Sequence, residues 1–238
     1  RSKAFTMKFI IGNWKMNGTR HDKEKMINAL SKIQTKNKII LCLPFTLLYG
    51  DNKNIKIGAQ NISEHDNGAY TGDISGKMLT EMGVKYAIVG HSERRANHNE
   101  TDEIIQAKAM AAIKNKIIPI ICVGETMSER KSGHTAHVIR DMLKRDLPRN
   151  GKFIIAYEPR WAIGSGKTPT VSEIESVHKI IFEYLASHGF EKTPIVYGGS
   201  VNPTNASEIA KIKHVDGLLI GGASLESKIF LTIIKSVK

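Results

Sequence analysis

The sequence predicts an α/β chain folded as one closed (β/α)8 barrel. Short apolar, β-branched runs recur eight times along 238 residues, spaced too widely for hairpins. Segments with the 3.6-residue apolar period of a helix lie between them. No linker, composition shift or low-complexity stretch divides the chain, so residues 1–238 read as a single domain rather than two small ones.

In order, the predicted strands are 9–12, 39–43, 55–59, 86–89, 118–123, 153–157, 195–197 and 218–220. They are continuous apolar runs, as strands buried on both faces of a parallel barrel should be. Pro119 lacks an N–H and is placed among the first residues of the fifth run, where the ladder loses least. The helical segments are 22–34, a turn or two at 46–49, then 77–82, 100–114, 134–147, 171–188, 205–211 and 224–237. Ser172 with Glu175, and Asn205 with Glu208, have the spacing of a cap and its third-position acid. Gly189 fits the residue after a helix C-terminus, with His188 in the last turn. Arg1 to Thr6, ahead of Met7, fit no targeting pattern and are either a native extension or an expression remnant.

Composition narrows the function. Hydrophobic residues at 41% and charged ones at 24% are ordinary for a soluble globular protein. No apolar run approaches the roughly 18 residues that cross a bilayer, so no membrane is expected. The net charge of +12 is spread along the chain, without basic blocks or interleaved aromatics. That argues against nucleic acid and for solvated faces that draw in a small anion. Cys42 and Cys122 sit inside apolar runs, which points to a reducing, cytoplasmic setting. His134 and His137 lie three apart, but no His-Glu-x-x-His or Cys-x-x-Cys occurs, so no metal is expected.

In such a barrel chemistry gathers at the C-terminal ends of the strands. Those ends carry Asn13 and Lys15, Gln60 and Asn61, His91-Ser92-Glu93, Glu125, Glu158, Gly198-Gly199-Ser200, and Gly221-Gly222. Glu158 ends the sixth run and is followed by Pro159, then by bulky Trp161 and Ile163, then by Gly164 and Gly166. A carboxylate at a strand tip, roofed by an apolar loop with glycine joints, is how a chain keeps a base dry. The plain alternative is a surface Glu before an ordinary loop. Gly166-Lys167-Thr168 resembles the end of a phosphate-binding P-loop, but Trp161 stands where that motif needs glycine.

Each other residue also has a plain reading. Lys15 is solvated like most lysines, or it clamps an anion. His91 begins a polar cluster that resembles a helix start, a position that lowers an imidazole's pKa and keeps it neutral. Glu93, Arg94 and Arg95 fit a structural ion-pair network. The glycine pairs on strands seven and eight make tight turns, or a cup of backbone N–H groups for phosphate. Cys122 reads as core rather than nucleophile.

Six stretches together resemble the triosephosphate isomerase family: Gly12-Asn13-Trp14-Lys15-Met16-Asn17, Gly90-His91-Ser92-Glu93-Arg94-Arg95, Ala156-Tyr157-Glu158-Pro159, Trp161-Ala162-Ile163-Gly164, Tyr197-Gly198-Gly199-Ser200 and Gly221-Gly222-Ala223-Ser224. They span nearly the whole chain in the family's order. The resemblance implies a TIM barrel that interconverts dihydroxyacetone phosphate and glyceraldehyde 3-phosphate through an enediolate. It implies no cofactor, and places the reaction in cytoplasmic glycolysis and gluconeogenesis. On this resemblance Glu158 moves a proton between neighbouring carbons while neutral His91 polarises the carbonyl, an acid–base pairing for which this family is itself a standard illustration. Lys15 and Asn13 would stabilise the enediolate, with Ser92 and Glu93 in support. Gly164, Ser200, Gly221 and Gly222 would hold the phosphate. The lid would run from Pro159 to Pro169 and include Trp161, Ala162, Ile163, Gly164 and Lys167. The polar loop 61–76 resembles the arm that docks into a partner subunit, with Thr71 near the partner's site, so a homodimer is implied.

The chain departs from the family pattern at Arg160, where an aliphatic residue is usual, at Asp73, where Glu is usual in the arm, and mildly at Ser165. The competing enzyme is a different phosphosugar isomerase or aldolase on a (β/α)8 barrel. The competing non-enzyme is a basic scaffold for an anionic polymer, which steep salt dependence without isomerase activity would reveal.

Overall fold

The computed structural model describes residues 7–49, 55–163 and 168–237. The six residues before Met7 lie outside that set. So do Gly164, Ser165, Gly166 and Lys167, and with them the phosphate role expected of Gly164 and the second half of the lid.

Eight strands close into a barrel: β1 Phe9–Asn13, β2 Lys38–Leu43, β3 Ile55–Ala59, β4 Tyr86–Val89, β5 Ile118–Val123, β6 Ile154–Tyr157, β7 Ile195–Tyr197 and β8 Gly217–Ile220. Neighbours in sequence pair in parallel, and β1 meets β8 to complete the ring, with Ile10 opposite Leu218. Every predicted strand holds to within one residue at each end. Pro119 is the second residue of β5, opposite Ala87 of β4.

The runs are apolar throughout because both faces are buried. One set of alternate side chains, including Ile11, Ile40, Cys42, Ile88, Ile120, Cys122 and Val196, fills the barrel interior. Their neighbours, such as Ile10, Leu41, Val89, Ile121 and Ile155, face the helices. That period of two on a fully buried ladder fixes which strand-end residues point inward at the rim.

The helices are α1 Arg20–Leu30, α2 Gly76–Glu81, α3 Ser92–Asn97, α4 Asp102–Lys114, α5 Met127–Lys131, α6 Thr135–Asp146, α7 Val171–Ser187, α8 Ala206–Ile209 and α9 Ser227–Ser236. Single 3-10 turns occupy Phe45–Leu47 and Gly222–Ser224.

Local capping explains where these boundaries differ from expectation. Helix α1 starts at Arg20 because Thr19 and Asp22 form a reciprocal capping box. Helix α7 is capped by Thr170 with Glu173, not by Ser172 with Glu175. A helix beginning at Val171 needs its cap one residue earlier, and the same spacing occurs there too. Asn205 precedes α8, but its Oδ1 accepts the N–H of Asn202 at 2.8 Å and not one from the helix. Helix α5, which the periodicity missed, is one turn held by a Thr126–Glu129 box. Gly189 follows α7 at φ +80, as a residue past a helix end does.

His178 of α7 is fully buried, with Nδ1 3.0 Å from the His214 carbonyl oxygen. Burial lowers its pKa from the ordinary 6.5 to about 4. The unfolded chain therefore takes up a proton near pH 6.5 that the folded chain refuses until about pH 4. Stability is full above pH 6.5 and falls as pH drops through that window, by up to about 3 kcal/mol for this group. His178→Gln is expected to flatten the slope, measured by urea unfolding at pH 7 and pH 5. An unchanged slope would place the acid sensitivity elsewhere.

Candidate active site

The C-terminal strand ends surround a cavity of about 250 Å³ lined by Asn13, Lys15, His91, Glu158, Ile163, Gly198, Gly199, Ser200, Val201, Asn202, Leu219, Gly221 and Gly222. Every described residue expected to carry chemistry or bind phosphate therefore opens into one space. Thr71 is exposed on the 61–76 loop and does not line the cavity of its own chain.

Glu158 extends β6 by one residue, its N–H donating to Val123 at 2.8 Å. It is 2% exposed. Its Oε2 accepts the Ser92 N–H at 3.1 Å, and its Oε1 lies 3.1 Å from His91 Nε2. Burial pushes this carboxyl up, but the imidazole and the Ser92 amide outweigh burial and hold its pKa below the ordinary value. A side chain at two glycines would crowd it. A Cβ at Gly124 would fall 1.7 Å from the Glu158 carbonyl oxygen, and one at Gly198 would fall 2.9 Å from Glu158 Cγ. Gly124 was not singled out in the sequence, because its role is a close approach between β5 and β6 that only packing reveals.

His91 caps α3, and its Nδ1 accepts the Glu93 N–H at 3.2 Å. A nitrogen that accepts carries no proton, so this bond selects the tautomer with hydrogen on Nε2, aimed at Glu158. The helix start was expected to lower the imidazole's pKa. Burial does pull it down, but the carboxylate beside Nε2 prevails, and His91 stands above its ordinary value.

Lys15 has φ +54, unusual for a residue with a side chain. Two bonds impose it: the Lys15 N–H donates to Asn13 Oδ1 at 3.0 Å, and Gln60 Nε2 donates to the Lys15 carbonyl at 2.9 Å. Nζ contacts Glu93 Oε1 at 2.6 Å. Glu93 thus leaves the network expected with Arg94 and Arg95, which pair instead with Glu100 and with Asp102 and Asp146.

The first half of the stretch expected to form a lid is anchored in the structure. The Ala162 N–H donates to Pro159 at 2.8 Å, and Ser200 Oγ donates to the Ala162 carbonyl at 3.0 Å. Trp161 Nε1 donates to Glu125 Oε1 at 3.0 Å, and the Arg130 guanidinium lies 4.4 Å from the Trp161 ring centroid. Tyr157 also donates to Glu125, at 3.2 Å. Glu125 is fully buried, and burial raises its pKa despite these donors. Arg160 lines a second hollow beside Lys15, Ser92 and Trp161. Nothing in the structure explains its difference from the aliphatic residue. Asp73 is satisfied within its own loop, where Ser63 Oγ donates to it at 2.7 Å.

A Cβ at Gly222 would meet nothing within 4 Å. Packing does not require glycine there, but an anion approaching the backbone would. The arrangement offers a desolvated base, a ring N–H, an ammonium and an open glycine turn around a small cavity. That set suits proton abstraction beside a carbonyl in a small anion.

A family profile described as triosephosphate isomerase matches residues 8–237. A triosephosphate isomerase of Mycoplasma mobile is 45% identical over 243 residues, covering 96% of this chain and 99% of that protein. One of Gloeothece citriformis is 47% identical over 236 residues, covering 94% and 97%. The crystal structure of triosephosphate isomerase from Bartonella henselae superposes with a TM-score of 0.88 at 40% identity, covering 96% of this chain and 98% of that one.

Proposed function

The chain belongs to the triosephosphate isomerase family, and from that premise we propose a role for each group at the rim. The protein is an isomerase that interconverts a ketose and an aldose phosphate, dihydroxyacetone phosphate and glyceraldehyde 3-phosphate.

Substrate binds with its phosphate at Gly221, Gly222 and Ser200 and its carbonyl end between Glu158 and His91. A contact of 3.1 Å between those side chains leaves no room for a carbon chain, so Glu158 must shift off the ring as substrate enters. The missing side chain at Gly198 leaves space for that shift.

Glu158 then takes a proton from the carbon beside the carbonyl. The electron pair left behind forms the C=C bond of an enediolate, and the former carbonyl oxygen takes the negative charge. His91 Nε2–H and the Lys15 ammonium stabilise that oxygen, where preorganised donors act most strongly. With Glu158 moved away, burial and the helix start both favour a neutral imidazole, which can relay a proton between the two oxygens. Protonated Glu158 returns its proton to the neighbouring carbon. Asn13 fixes the strained Lys15 backbone, and Ser92 holds the resting carboxylate. Closure of the lid from Pro159 through Trp161, Ala162 and Ile163 excludes water. The observation that carries this reading is the buried contact between Glu158 and His91 Nε2.

We also propose a cytoplasmic homodimer working in glycolysis and gluconeogenesis. Support comes from the large apolar side chains the single chain leaves exposed: Met16 at 97%, Tyr70 at 45% and Met78 at 53%. Tyr70 adjoins Thr71 on the proposed arm and stacks on His65 at 3.8 Å. Both cysteines are free and buried, as a reducing compartment allows. No helix among the described residues is long and apolar enough to cross a membrane. A coupled isomerase assay on gel-filtration fractions tests the reading. Activity is expected to elute with a species of twice the chain mass. Activity that follows the single chain contradicts the dimer, and no activity in any fraction contradicts the roles at the rim.

A further inference from the structure

The opposite mouth of the barrel holds a second cavity, of about 460 Å³, within the range of small-molecule sites. Sequence period dictates its floor. Ile40 and Cys42 face the barrel interior, so Lys38, two residues before Ile40 on β2, faces the same way at the N-terminal end. Phe9, Tyr86 and Ile118 are the corresponding first residues of β1, β4 and β5. Phe153 and Phe190 add an edge-to-face pair with centroids 5.1 Å apart. Four aromatic rings, of Phe9, Tyr86, Phe153 and Phe190, therefore contribute to the walls.

Two independent observations give the cavity a polar preference. Tyr86 is 4% exposed, yet its side chain makes no hydrogen bond among the described residues. The hydroxyl is not sealed in the core: it opens into the cavity, where it offers a donor to an entering acceptor. Separately, Lys38, Lys152 and Lys192 line the mouth against one carboxylate, Glu191. None of these four makes an ion pair among the described residues. Lys38 Nζ lies 5.4 Å from the Phe9 ring centroid, so a cation already borders an aromatic wall.

We propose that this N-terminal mouth binds a small aromatic anion. Its ring packs between the aromatic walls, its charge faces the lysines, and one acceptor oxygen takes the Tyr86 hydroxyl. A cationic guest would meet like charge. A neutral hydrocarbon would desolvate the lysines and the hydroxyl without pairing either. The site lies at the other end of the barrel from Glu158 and uses none of the groups assigned to the reaction.

The probe is 2-naphthoate, titrated by calorimetry into the full chain, with 2-naphthalenemethanol as its uncharged counterpart. Saturable binding of one naphthoate per chain is expected, with the alcohol weaker by about tenfold or more. Tyr86→Phe keeps the ring and removes only the hydroxyl; it and Lys38→Gln should each weaken naphthoate by about threefold or more. Tyr86→Phe should leave isomerase activity unchanged. Lys15→Met should bind naphthoate like the parent protein, which separates this site from the rim. The proposal is overturned if no saturable binding occurs up to several millimolar, or if acid and alcohol bind alike. It also fails if both mouth variants bind like the parent, or if Lys15→Met abolishes binding.

Discussion

Glu158→Asp is expected to lose about a hundredfold or more in kcat, with little change in KM and an intact fold. The substitution keeps the charge and shortens the side chain by one methylene. Glu158 is held by its backbone bond to Val123 and by the close approach of Gly124, so the main chain cannot advance to compensate. A carboxylate withdrawn by roughly an ångström from the carbon it must deprotonate loses near-attack geometry, and misplacement of that size costs about 10²-fold. The loss should fall equally on kcat and kcat/KM, because the contact matters only in the transition state. A coupled assay with circular dichroism as the fold control measures it. Parent-like turnover would remove Glu158 from the role of base.

Lys15→Met is expected to damage both binding and rate. The methionine side chain fills much of the same volume and cannot donate. Losing one charged donor from a preorganised anion site typically costs about 10²–10³-fold in rate. KM should rise as well, because in the proposed role the ammonium attracts the substrate before it stabilises the enediolate. Folding should suffer little: the ion pair it breaks, to Glu93, is partly exposed, and such pairs contribute roughly 0–1 kcal/mol. Steady-state kinetics and the inhibition constant of a phosphate-bearing competitive inhibitor measure the two effects. Unchanged inhibitor affinity would refute the binding role.

What the sequence disclosed follows from periodicity. Eight doubly buried strands leave uninterrupted apolar runs, so their positions were legible to within a residue. The residue just past each run was legible as a rim position, which brought Asn13, Lys15, His91, Glu158 and the glycine pairs together before any coordinates. Features set by tertiary contact were not legible. Gly124 looks like any loop glycine until β6 is packed against it, and Gln60 is one polar residue at a strand end until its amide reaches the Lys15 carbonyl. Glu93 sits next to two arginines in sequence, yet its side chain turns to Lys15. The imidazole's pKa also depends on a partner 67 positions along the chain, so the local helix start alone gave the wrong direction. The α7 cap failed for a local reason: Thr170 and Ser172 each have an acid three residues on, and only the helix start decides between them.

The central claim is that a carboxylate, and not a direct hydride shift, moves hydrogen between the two carbons. The most direct measurement is turnover of dihydroxyacetone phosphate in deuterium oxide, with the glyceraldehyde 3-phosphate product read by mass spectrometry. In a fraction of turnovers water reaches protonated Glu158 before it returns its proton, so part of the product should carry deuterium on the carbon bearing its new C–H bond. Full turnover with no deuterium at that carbon would contradict the account.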